Sequence, residues 1–244
     1  MTRRATLALA LLVTTVSANP AFALEATLLK ESAGLPPAGA PGPCPRLPNL
    51  TGDCGNLRYY NLCSGYIWVI SGITAQGEGV GTAFADSCIR PGNVINKAIT
   101  YFRSVAPNYN QTVDVVIDVD TDTDGCPDRV LASDPNLDPG LRWNCSNFGD
   151  VCIPLDAGGL IVRTIHHGGT APSWAADADP FGQCDPDGSD HSFYYGINST
   201  ECVPFRLFSP TERGDNFLYW LIIDSGCVTA TEATSWGSIK GLFR

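Results

Sequence analysis

Between Ile117 and Val130 the chain reads IDVDTDTDGCPDRV, with Asp118, Asp120, Asp122, Asp124 and Asp128 inside eleven residues and no basic residue until Arg129. Carboxylates crowded in this way repel and raise one another's pKa unless a cation sits among them or the loop splays into water. Two readings follow. One is a hard divalent cation held by carboxylate oxygens, and the other is an acidic turn that closes a hairpin. A second acidic run, ADADPFGQCDPDGSDHS, holds Asp177, Asp179, Asp185, Asp187 and Asp190 without a base. Its Asp185, Asp187 and Asp190, together with His191, are weaker cation candidates because their spacing is looser, and Asp118 is another.

The three histidines are His166, His167 and His191. Adjacent residues of a strand point to opposite faces, so His166 and His167 share a metal only if the strand ends between them, as Gly168 and Gly169 suggest. One of them with Asp190 and His191 would make a zinc site or a general base. A secreted hydrolase working from that region is therefore the alternative to a binding module. HExxH, GxSxG and Walker patterns are absent, so no catalytic residue is assigned. Trp143 and Trp174 fall in predicted loops and are candidates for stacking on a sugar, whereas Trp68 and Trp220 lie in apolar runs and belong to the core.

The elements that must hold these groups read as short strands. Apolar segments rich in β-branched and aromatic residues recur at 66–74, 79–85, 98–105, 112–119, 129–133, 159–165, 192–197 and 217–224, separated by Gly, Pro, Asp and Asn. That pattern predicts an all-β chain, an antiparallel β-sandwich of jelly-roll or Ig-like type. The segments at 66 and 217 are continuously apolar and are expected in sheet centres. VINKAIT, residues 94–100, which overlaps the third of these strands, could open a helix instead. In 112–119 alternation sends Val113, Val115, Ile117 and Val119 to one face and Asp114, Val116, Asp118 and Asp120 to the other. Residues 24–50 are proline-rich and read as an arm, 51–228 as the sandwich domain, and 229–244 as a linker with a short C-terminal amphipathic helix. In that helix Ser235 is the cap, and Trp236, Ile239 and Phe243 share a face.

Residues 1–23 carry Arg3 and Arg4, an apolar run and the small-x-small triplet Ala21, Phe22, Ala23, which read as a secretory signal peptide. Their removal takes two of the 15 basic residues and none of the 25 acids, leaving a net charge of −12. Such a surface disfavours nucleic acid and anionic membrane, and no later run is long enough to insert in a membrane. All ten cysteines lie beyond residue 23, and in an exported chain they predict a disulfide framework. Short loops suggest Cys44 with Cys54, Cys63 with Cys88 and Cys184 with Cys202, and Cys126 is expected to reach Cys145 or Cys152. Asn49, Asn110, Asn144 and Asn198 open N-x-S/T sequons.

Asp120, Asp122, Asp124, Gly125 and Asp128 spell DxDxDGxxD. This stretch resembles the calcium loops of EF-hand, dockerin and thrombospondin type 3 proteins. The resemblance implies carboxylates from Asp120, Asp122 and Asp124 on one calcium ion, a sharp turn at Gly125, and Asp128 standing in for the bidentate acid of position twelve, which here is Leu131. It covers about a dozen residues and carries no fold with it. The chain as a whole has the make-up of a secreted bacterial protein. The expected function is that of an exported, calcium-stabilised β-sandwich, secreted or periplasmic, acting as a binding, adhesive or structural extracellular module with a glycan or cell-surface component as partner.

Overall fold

The computed structural model describes residues 25–30, 57–59, 66–73, 75–104, 112–140, 142–168, 173–178, 191–197, 202–205, 216–225 and 227. These form β1 (Glu25–Lys30), β2 (Tyr66–Ser71), β3 (Gly79–Phe84), β4 (Asn93–Ser104), β5 (Val113–Asp120), β6 (Arg129–Leu137), β7 (Arg142–Cys152), β8 (Gly159–His166), β9 (Ser173–Ala178), β10 (Ser192–Tyr195), β11 (Cys202–Pro204) and β12 (Trp220–Ser225). The first sheet runs β1-β2-β9-β4-β12 with β7 also paired to β4, and the second runs β11-β10-β3-β8-β5-β6. Every pairing between these strands is antiparallel. The chain is the predicted two-layer all-β sandwich. No helix among the described residues is long and apolar enough to cross a membrane, and the predicted helix at the C-terminus lies outside those residues, as do residues 1–24.

The core follows from strand alternation. Val113, Val115, Ile117 and Val119 of β5 and Leu160 and Val162 of β8 meet Ile70, Ile95, Phe102, Trp174 and Leu221 of the facing sheet in one cluster. Each such side chain, fully buried, contributes roughly 1.5–3 kcal/mol. The opposite face of β5 carries Asp118 and Asp120, as its alternation requires. β6 is an edge strand, and its Asp134, Pro135 and Asn136, with register shifts against β5, keep that edge from pairing further.

Several expectations are corrected. VINKAIT belongs to β4, because its apolar residues serve both faces of a covered strand: Ile95 and Ala98 face the facing sheet and Ile99 the outer cluster. The first residues of the predicted arm pair with β2 as β1. Of the two continuously apolar runs, β2 lies inside its sheet between β1 and β9, while β12 pairs β4 on one side and meets an isolated bridge from Leu57 on the other. The disulfides seen are Cys126–Cys202 and Cys152–Cys227, separated by 76 and 75 residues. They overturn the pairing of Cys184 with Cys202 and of Cys126 with Cys145 or Cys152. Antiparallel sheets bring distant segments side by side, so nearness in sequence is a poor guide to nearness in space. Cys88 and Cys145 are also disulfide-bonded.

Candidate metal centre

The acidic loop leaves β5 at Asp120 and enters β6 at Arg129, closed by the Asp128 amide donating to the Val119 carbonyl at 3.0 Å. Thr123 and Gly125 take positive φ, 62° and 84°. At Gly125 a side chain is excluded twice, since a Cβ would stand 2.0 Å from the Phe193 ring. The loop folds back over the outer face of the second sheet. There Tyr195 donates its hydroxyl to the Gly125 carbonyl at 3.0 Å, and Cys126 is bonded to Cys202 of β11. On the other side, Gly158 of the β7–β8 connection fits against the Thr121 carbonyl, with room for no Cβ. Arg129 forks onto Asp156 of the same connection at 2.6 and 3.1 Å.

Within this frame Asp120, Asp122 and Asp124 each offer a carboxylate oxygen, all within 4.8 Å of one another. Asp122 and Asp124 are exposed, whereas Asp120 is 2% exposed. Asp120 Oδ2 accepts from the Gly125 amide at 2.9 Å, and Asp124 Oδ1 from the Cys126 amide at 2.7 Å. Asp120 Oδ1 is buried without a hydrogen-bond partner. Burial pushes the Asp120 carboxyl above its ordinary range, opposed by the Gly125, Thr123 and Asp124 amides and reinforced by the Asp124 charge. A buried carboxylate oxygen with nothing to accept from is costly, and a cation among the three carboxylates would relieve it. The all-oxygen donor set fits a hard ion such as calcium or magnesium.

Two of the sequence-predicted ligands stand elsewhere. Asp128 Oδ2 accepts from the Thr121 amide at 2.7 Å and from the Thr121 hydroxyl, and these bonds hold its carboxyl below the usual range. It is turned to bracing the hairpin rather than joining the three-carboxylate cluster. Asp118 is fully buried, taking Arg163 Nε at 2.6 Å and Nη2 at 3.0 Å. Burial pushes its carboxyl up, and the Arg163 fork opposes the push. Arg163 in turn lies over the Tyr195 ring, 5.7 Å from its centroid. Sequence reasoning missed this ion pair beneath the loop. Its signal was a single arginine inside the apolar run GLIVRTI.

The other candidates are dispersed. His166 and His191 flank β3 on opposite sides, held by backbone hydrogen bonds to residues 78 and 83, so five residues, roughly 16 Å of strand, separate them. His166 faces the interior, fully buried, where Nδ1 accepts from the Gly168 amide and Nε2 has no partner. His167 turns the other way onto Asp114 at 2.9 Å. His191 stacks on Tyr59 at 3.5 Å between centroids. Asp185, Asp187 and Asp190 lie outside the described residues. The expectation of loop tryptophans is corrected: Trp174 is in β9, fully buried, donating Nε1 to Thr164 Oγ1 at 2.7 Å. Trp143 is in β7, half-buried, edge-on to Tyr101 at 4.8 Å. Strand pairing with β4 turned both segments from loops into packed sheet.

No protein-family model matches the chain, and no curated protein does. Among solved structures it is similar to the cysteine protease and lectin-like domains of Cwp84, a surface layer associated protein of Clostridium difficile, with 14% identity, a TM-score of 0.42, and coverage of 72% of this chain and 37% of that one. A second, the clostridial cysteine protease Cwp84 after propeptide cleavage, gives 16% identity and 0.43, covering 63% and 37%. The chain thus matches little more than a third of either structure's length, and a likeness this distant assigns neither function nor partner.

Proposed function

We propose that the chain is an exported β-sandwich that takes a calcium ion at Asp120, Asp122 and Asp124 and serves as a binding, adhesive or structural module outside the cell. The observation that carries this reading is the buried, unpartnered Oδ1 of Asp120 beside two exposed carboxylates. The ion would neutralise carboxylates that otherwise repel, and by binding only the folded state it would add about 2.7 kcal/mol at a hundred times its Kd. Disulfides that clamp the loop and the sheet edges support an oxidising compartment, in keeping with the leader-like residues 1–23. A strongly acidic surface favours a glycan or cell-surface partner over nucleic acid.

Calorimetric titration of calcium into the chelator-stripped mature protein tests this. Saturable binding, lost in the Asp122→Asn, Asp124→Asn double variant, is the expected result. No heat and no rise in Tm would reduce the loop to an acidic turn.

A further inference from the structure

We infer that an ion held at Asp120, Asp122 and Asp124 keeps coordination positions open toward solvent, and that these receive a neutral vicinal diol of a sugar. This rests on the calcium reading above and concerns what the bound ion presents outward. Calcium takes about six to eight oxygens. With the amide bonds to Asp120 Oδ2 and Asp124 Oδ1 kept, those two residues each have one carboxylate oxygen left, and Asp122 has at most two. Among the described residues, the neighbouring acids that might complete the shell are engaged elsewhere. Asp128 is turned onto Thr121, Asp118 onto Arg163, and Asp156 onto Arg129. The Gly125 carbonyl accepts from Tyr195, and a leucine stands at position 131.

Burial decides the direction in which the remaining positions face. Asp120 is buried at the floor of the cluster, while Asp122 and Asp124 stand exposed at its rim, so the unfilled side looks into water. Charge decides which oxygens can enter. Three carboxylates leave a divalent ion with a net negative site, and Asp128 in the same loop adds to that charge, so an anionic ligand is repelled. A pair of neutral hydroxyls on adjacent carbons supplies two oxygens without added charge and displaces two waters at once. On the hairpin and on the connection it is bridged to, Val130 and Leu155, each next in sequence to one partner of the Arg129–Asp156 bridge, are 59% and 88% exposed.

Terbium substituted for calcium reads the open positions directly, because its emission decays faster for every bound water in H2O than in D2O. The expected result is at least two bound waters, of which one or more are lost on titration with methyl α-D-mannopyranoside or methyl α-D-galactopyranoside, the two arrangements of a 3,4-diol. Sodium acetate should displace none. Mannan and galactan form a further arm: displacement by the glycosides as well assigns the diol itself, and displacement by polymer alone assigns a diol within a glycan chain. Bound terbium without coordinated water, or waters that no sugar or polymer displaces, overturns this inference while leaving the ion site standing. Absence of both terbium emission and calcium heat overturns both.

Discussion

In the β5–β6 hairpin three carboxylates hold ligand oxygens within 4.8 Å of one another, whereas His166 and His191 stand against residues 78 and 83 near the two ends of β3. Both groups belong to the second sheet. The hairpin gathers its acids because the chain reverses between Asp120 and Arg129, and all three carboxylates lie on one short turn braced by Gly125, Tyr195 and the Cys126–Cys202 bridge. His166 ends one strand and His191 immediately precedes another, and these two strands flank a third. Their separation is set by the register of three strands, and that register places one inside the core and the other beside Tyr59. Polar groups within a single turn keep their spacing wherever the turn is put, while polar groups on different strands meet only if register permits.

The contrast can be broken most forcefully at the floor of the hairpin. Arg163→Met leaves Asp118 buried and unpaired, and should cost about 3–5 kcal/mol in denaturant unfolding. Adding Asp118→Leu should recover most of that loss, since the buried pair is then replaced by apolar packing. A gentler break is Cys126→Ser with Cys202→Ser, expected to cost about 2–4 kcal/mol and to weaken calcium binding by freeing the loop from β11, both readable from Tm with and without the ion. Full retention of calcium affinity would show that the turn alone arranges its ligands.

Asp120→Asn sharpens the comparison because its effect should change sign. Without calcium it removes a buried carboxylate charge and should raise stability by about 1 kcal/mol. With calcium it should abolish the ion-dependent rise in Tm. The smallest effect belongs to the histidine side. Burial pushes the His166 imidazole below its usual range, with Glu78 opposing and His167 adding to the shift. The folded state therefore favours the neutral ring, and the unfolded chain takes up the proton first. Stability should fall as the pH drops through about 6.5 toward the lower folded-state pKa, and His166→Gln should flatten that part of the profile by roughly 1 kcal/mol or less. Unfolding midpoints at several pH values check this.

Much of the fold could be read along the chain. Every strand proposed at 66–74, 79–85, 98–105, 112–119, 129–133, 159–165, 192–197 and 217–224 overlaps an observed one, because half-buried strands must alternate and fully covered ones must be apolar. Of the strands outside those segments, β1, β7, β9 and β11, two are informative. β7 reads RWNCSNFGDVC and β9 reads SWAADA. Neither has the run of large β-branched side chains that marks a strand, and both are held by partners: β7 by β4, and β9 by β2 and β4. Pairing supplied what propensity did not. Trp174 was misplaced for the same reason, since its burial comes from the facing sheet and from Thr164, ten residues away.

Of the candidate centre, the sequence by itself determined the three carboxylates and the glycine, because residues alternating through a single tight turn point their side chains to a common side whatever surrounds them. It also determined the all-β class and the reliance on disulfides, through composition and strand period. Only the tertiary structure decided that Asp118 belongs to Arg163, that Asp128 braces Thr121, that Cys126 bonds Cys202 and that His166 and His191 stand apart. Each of these depends on which strands become neighbours and in what register. That choice is made by burial of both sheets against one another, a long-range free energy that no local spacing encodes.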